Sequence, residues 1–200
     1  MRRAIRGVIF SAAATLALAP VQARGEGYIS PWVATNAGTG FNRDNLGSSL
    51  NNGRLGVGTQ VGSMSGGILG AELDLGWSPS FFGTTNDFGN NSVIDVMGNI
   101  IFGIPVGGTH GAGIRPYATA GLGLLRTQID GGTIATVSSS HNDLGWNAGA
   151  GLMGYFSDHF GLRGDVRYMR NLQNNSSGIS INFDPGDFHF WRASIGVVLR

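Results

Sequence analysis

The most constraining feature of this sequence is a strict alternation of apolar residues with small or polar ones, held over long segments and repeated eight times. In residues 54–63, Leu55, Val57, Thr59 and Val61 fall on one side, and Arg54, Gly56, Gly58, Gln60 and Gly62 on the other. Residues 68–78 place Leu69, Ala71, Leu73, Leu75 and Trp77 opposite Gly70, Glu72, Asp74 and Gly76. The same pattern runs through residues 92–104, 115–127, 143–157, 160–172 and 188–199, and less clearly through 27–35, where Pro31 interrupts it. Side chains that alternate with period two belong to strands lying between two different environments. Proline within a sheet is tolerated at edges and bulges.

Length then selects the environment. Most segments run for nine to thirteen residues. A tilted strand needs about 9–11 residues to cross a bilayer, whereas strands of globular proteins centre on about 5–6. The connections add an independent signal. They run long (36–53), short (64–67), long (79–91), intermediate (105–114), long (128–142), short (158–159) and long (173–187). Outer-membrane barrels join their strands by short turns on the periplasmic side and longer loops outside. The expected fold is therefore all-β: a transmembrane eight-stranded antiparallel up-and-down β-barrel, with both ends in the periplasm. A soluble periplasmic lipocalin-like barrel is the competing fold.

The first residues point to export. Arg2, Arg3 and Arg6 open the chain, an uncharged run extends from Gly7 to Ala19, and Val21 and Ala23 stand at the spacing of a small-residue cleavage site. These are the three parts of a secretory signal peptide, so residues 1–23 are expected to be cleaved and residues 24–200 to form the barrel. Loss of the leader's arginines leaves ten basic and twelve acidic side chains, a net charge of about −2. No basic block accompanies them, so nothing points to nucleic acid. Cysteine is absent, which removes disulfide staples, thiol nucleophiles and cysteine-ligated metals. Glycine is abundant, at 35 residues, and charged residues make up only 12%. Both suit a barrel whose interior is lined by small and polar groups.

In such a barrel the apolar sides face lipid and the glycine-rich sides face inward. Trp32, Trp77, Trp146, Phe160, Tyr168 and Trp191 fall near segment ends and are expected in the interfacial girdles. The inward sides carry Arg54, Arg163, Arg167 and Arg192 with Glu72, Asp74, Asp95 and Asp165. An eight-stranded barrel is filled by its own side chains, and charges shut inside it must pair. A salt-bridge network in the lumen is expected, with the interior glycines making room for the arginines; a narrow path for ions or protons is the functional alternative. His110, His141, His159 and His189 show no metal-ligand spacing, and the recurring Gly-x-Gly steps lack the strand–turn–helix context of a nucleotide loop. Neither a metal nor another cofactor is expected. Ser138, Ser139, Ser140 and His141 with Asp143 offer an enzyme reading, but adjacency in sequence does not define a triad. The expectation is no catalysis.

Two stretches carry a resemblance. Arg115-Pro116-Tyr117-Ala118-Thr119-Ala120-Gly121-Leu122-Gly123 is one. The other joins Leu144-Gly145-Trp146-Asn147-Ala148-Gly149-Ala150-Gly151 to the hairpin from Phe156 to Tyr168, ending Leu162-Arg163-Gly164-Asp165-Val166-Arg167-Tyr168. Together they resemble the porin-like outer-membrane β-barrel domain family, related in shape to OmpA-type eight-stranded barrels, most clearly over residues 93–200. The resemblance implies a narrow barrel of the cell outer membrane, inserted by the barrel-assembly machinery and surrounded by outer-membrane lipid and lipopolysaccharide. It also implies roles from envelope integrity to adhesion, with extracellular ligands met by the loops. Such barrels commonly finish on an aromatic residue; this sequence finishes Val197-Val198-Leu199-Arg200.

Overall fold

A computed structural model describes residues 25–37, 54–81, 91–129, 139–172 and 189–200. Eight strands follow one another: β1 (Gly25–Ala37), β2 (Leu55–Ser65), β3 (Leu69–Pro79), β4 (Asn91–Gly103), β5 (Gly113–Ile129), β6 (Ser139–Tyr155), β7 (Phe160–Asn171) and β8 (His189–Leu199). Each pairs antiparallel with its neighbours, and β1 closes on β8, giving a barrel in sequence order. Closure leaves no sheet edge, so backbone donors and acceptors can be paired inside hydrocarbon. The leader expected at 1–23 and most of the four long connections lie outside the described residues.

The short connections explain themselves locally. Gly66 (φ 56°) and Gly67 (φ 69°) form a two-residue turn, closed by the Ile68 N–H donating to the Ser65 carbonyl at 3.0 Å. Positive φ at both central positions is the hairpin geometry that glycine allows. The connection expected to be intermediate is a small excursion, bridged between Val106 and Ile114. It is pinned from the side where Asp158 accepts the Gly111 N–H. β5 and β6 extend beyond their expected ends, to Ile129 and from Ser139. His141 therefore lies in β6 opposite Thr127, not in a loop.

Pro31 sits at the seam. Residues 32–37 of β1 pair with 191–196 of β8, and Ile29 pairs with Leu199, but Ser30 and Pro31 have no partner in that ladder. Proline has no N–H to donate, and the seam carries the resulting gap.

Outside, the alternation exposes Ile29, Val33, Val61, Leu69, Leu75, Ile100, Phe102, Leu122, Leu152 and Ile195 around the whole circumference. A soluble barrel would bury that side; an apolar surface this extensive needs lipid. Inside, three layers stack. Tyr28, Met64, Ile101, Tyr117, Met153, Tyr155 and Val198 form an apolar layer toward the short turns. Phe81, Val93, Met97, Leu125, Met169 and Phe190 form another toward the long loops. Buried charge lies between them.

Candidate functional site

The middle layer draws its charges from four strands. Arg163 and Arg167 of β7 and Arg192 of β8 reach across the lumen to Glu72 and Asp74 of β3 and Asp95 of β4, with Asp165 of β7 between them. They meet because each occupies an inward position of its strand: Arg163, Asp165 and Arg167 alternate with the outward Leu162, Gly164, Val166 and Tyr168. Arg167 donates to Glu72 Oε1 at 2.8 Å, to Asp74 Oδ2 at 3.1 Å and to Asp165 Oδ2 at 3.2 Å. Arg192 holds both Asp95 oxygens, at 2.9 and 3.1 Å, and also donates to Asp74. Arg163 donates to Glu72, and its Nε donates to the Tyr117 hydroxyl at 2.6 Å. That hydroxyl donates in turn to Asp165 Oδ2 at 2.8 Å. Charge-assisted bonds of this kind are roughly twice as strong as neutral ones, which offsets the desolvation of burying the ions.

Seven of the eight charged side chains expected inside thus converge. Arg54 does not. It precedes β2 at the long-loop end, half-buried, and forms no ion pair with a described residue; its carbonyl accepts the Asn36 N–H at 3.0 Å.

The aromatic expectation needs one correction. Trp77 and Phe160 lie exposed on the outer wall, and Trp146, Tyr168 and Trp191 pack together there. Trp32 instead points into the lumen, buried among Tyr28, Ser30, Ala34 and Asn36 of its own strand. Its Nε1–H donates to Asp74 Oδ1 at 3.1 Å, and the Arg192 guanidinium lies 4.4 Å from its ring centroid. Position near a strand end suggested the girdle; the parity set by the outward Ile29 and Val33 overrules it. Single-tryptophan variants report this directly: brominated lipid should quench Trp77, Trp146 and Trp191 and leave Trp32 bright. Quenching of Trp32 equal to the others would place it on the wall.

The glycine expectation also changes. A Cβ on Gly149 would meet Arg167 Cγ at 2.8 Å, so this glycine does make room for an arginine. Gly58 instead clears Trp32, Gly121 clears Asn99, Gly123 clears Met97 and Gly151 clears Tyr117.

A second ionic cluster had no counterpart in the sequence reading. At the short-turn end Arg115 and Arg200 each lie 3.3 Å from Glu26 Oε2, and both guanidinium groups sit over the Tyr155 ring. Arg200 also donates to the Thr109 carbonyl at 2.9 Å. The terminal arginine thus ties β8 to β1 across the seam and to the excursion between β4 and β5. The signal was present: Glu26 and Arg115 share the inward parity of Tyr28 and Tyr117. Among the described residues, no group of three or more histidine, aspartate or glutamate side chains is placed to hold a metal ion. The side chains of Ser138, Ser139, Ser140 and His141 lie outside the described residues.

An apolar belt outside a closed barrel and ion-paired charge inside it define an integral β-barrel protein of an outer membrane. The chain belongs to the outer membrane protein beta-barrel domain family, whose model matches residues 8–200. No curated protein matches the sequence. Among solved structures, its fold is similar to the N-terminal β-barrel domain of Pseudomonas aeruginosa OprF, at 15% identity and TM-score 0.52, over 88% of this chain and 98% of that one. It is similar to Neisserial surface protein A at 13% identity and TM-score 0.58, over 86% and 96%. It is also similar to Ail, the attachment invasion locus protein of Yersinia pestis, at 16% identity and TM-score 0.50, over 88% and 97%.

Proposed function

We propose that this protein is a non-enzymatic outer-membrane barrel with a largely plugged lumen, serving envelope integrity or presenting its long loops to extracellular ligands. One observation carries the reading: the ion-paired layer is bracketed by two apolar layers, and Arg167, Met64, Met97, Ile101, Met153 and Met169 within them are fully buried. A hydrated ion passing along the axis would have to break buried salt bridges and cross both apolar layers, at a cost of several kcal/mol per ion. Function then falls to the loops, as is usual for variable segments on a rigid scaffold. Purified protein in planar bilayers should give no steady conductance; stable single-channel steps from the wild type would overturn the plugged lumen.

A narrow channel is the second reading, and one observation favours it. Ser30 Oγ, Thr119 Oγ1 and both amide atoms of Gln60 are buried without a hydrogen-bond partner among the described residues. Such groups can hold ordered water. If water threads past them, Asp95→Ala and Arg163→Ala should both change the conductance.

A further inference from the structure

Inside the lumen, the wall built from β1, β2 and β3 carries a frame that the salt-bridge layer does not use. Two aromatic side chains of β1 cross it as bars. Tyr28 passes over Gly62 of β2, and its hydroxyl donates to Glu72 Oε2 at 2.7 Å. Trp32 passes over Gly58 of β2, and its Nε1–H donates to Asp74 Oδ1 at 3.1 Å. Between the bars, Ser30 of β1 stands directly opposite Gln60 of β2, and Gln60 directly opposite Asp74 of β3. Directly opposite side chains on one face lie within about 5.5 Å of each other at Cβ. Ser30 and Gln60 are 0% and 1% exposed, yet the Ser30 hydroxyl and both amide atoms of Gln60 have no hydrogen-bond partner among the described residues. Buried polar atoms of this kind call for a water or an ion.

The charges beside the frame do not balance. Arg163, Arg167 and Arg192 meet Glu72, Asp74, Asp95 and Asp165, which leaves one negative charge in excess. The two apolar layers shut this charge away from both mouths of the barrel. An uncompensated buried charge is costly. Glu72 and Asp74, the carboxylates to which the two bars are tied, form the β3 side of the frame. Ordered water between the bars satisfies Ser30 and Gln60 and leaves the charge where it is. A cation there satisfies both.

We propose that the lumen holds one alkali-metal cation between Ser30, Gln60 and Asp74. Ser30 Oγ and Gln60 Oε1 supply neutral oxygens, and Asp74 beside Glu72 supplies the charge. Hard cations take oxygen ligands, and hydroxyl and amide oxygens both have lone pairs to give. Water that enters with the ion completes its shell and accepts the Gln60 Nε2–H. The size of the excess selects the class of ion: a monovalent cation brings the layer to four charges of each sign, whereas a divalent one would leave it positive. The ion is resident and does not cross the barrel, so the site goes beyond the plugged lumen and adds a fourth cation to the layer that fills it.

The test uses the full-length protein refolded in sodium chloride, placed in phosphatidylcholine nanodiscs and exchanged into tetramethylammonium chloride of equal ionic strength. Atomic emission then counts retained sodium against empty nanodiscs. Wild type should retain about one sodium per barrel, the number that neutralises the buried excess. Ser30→Ala combined with Gln60→Leu should retain about tenfold less, since loss of groups that hold an ion costs at least that much. Thr119→Val removes an equally buried, unpartnered hydroxyl on β5 and should retain as much as wild type. In vesicles, the urea midpoint of wild type should rise with sodium concentration by mass action and stay flat in tetramethylammonium; the double variant should be flat in both. The sodium count and the two-salt comparison on wild type keep the test decisive if the double variant does not fold. Wild type without retained sodium and with equal midpoints in the two salts, the result that water alone or a bound proton gives, would overturn the proposal. Equal retention by wild type and the double variant would overturn the site.

Discussion

Replacing Arg167 with alanine should destabilise the barrel by about 3–5 kcal/mol, the cost of leaving buried charges without their partner. Arg167 is fully buried and bridges three carboxylates, those of Glu72, Asp74 and Asp165. The middle layer holds Arg163, Arg167 and Arg192 against Glu72, Asp74, Asp95 and Asp165, three cations against four carboxylates. Removing Arg167 leaves two against four. The urea midpoint for unfolding from lipid vesicles measures the loss. Arg167→Lys should recover part of it, because it restores the charge but not the fork that reaches several oxygens at once. Adding Asp165→Asn to Arg167→Ala should also recover part, since it removes one of the stranded charges, and the double-mutant cycle gives the coupling. An Arg167→Ala barrel within about 0.5 kcal/mol of wild type, the range of an ordinary surface change, would show that the layer does not carry the fold.

Gly58→Val should be comparably damaging, for a steric reason. A Cβ at this position would lie 2.1 Å from the Leu75 carbonyl oxygen and 2.3 Å from Trp32 Cζ2. Trp32 cannot swing aside cheaply, because Asp74 accepts its N–H and Arg192 covers its ring. The Leu75 carbonyl belongs to β3, paired with β2 through Thr59. Overpacking of a close-packed interior costs typically 1–3 kcal/mol and more where backbone must move, so a loss of about 3 kcal/mol or a failure to fold is expected. Gly27→Ala is the control: a Cβ there meets nothing within 4 Å, so its midpoint should stay within about 0.5 kcal/mol of wild type. Combining Gly58→Ala with Trp32→Ala should relieve the ring clash and leave the backbone one. Wild-type stability for Gly58→Val would contradict the interior packing.

Parity was the legible part of the site. Glu72, Asp74, Asp95, Arg163, Asp165, Arg167 and Arg192 could be placed inside because each strand's apolar residues fixed the opposite side. The same rule would have placed Trp32, Glu26 and Arg115 correctly. It was obscured at Trp32 by nearness to a strand end, at Glu26 because it lies just ahead of the expected segment 27–35, and at Arg115 because it opens its segment beside Pro116. Arg54 had the right parity and the wrong height: it precedes the first paired residue of β2, above the plane where the arginines of β7 and β8 meet the carboxylates.

The sequence by itself determined that eight long strands alternate, that one side of each is apolar, and that long and short connections take opposite ends. These are local properties, set by a two-residue period and by turn chemistry such as Gly66-Gly67. Tertiary structure alone decided which charges pair. Arg163 reaches Glu72 across 91 positions and Arg192 reaches Asp74 across 118, separations that carry no local signal. Closure of β1 on β8 brings these strands around a common axis, and the stagger between neighbouring strands sets the height of each inward side chain. Height sorted the interior into two apolar layers with charge between them.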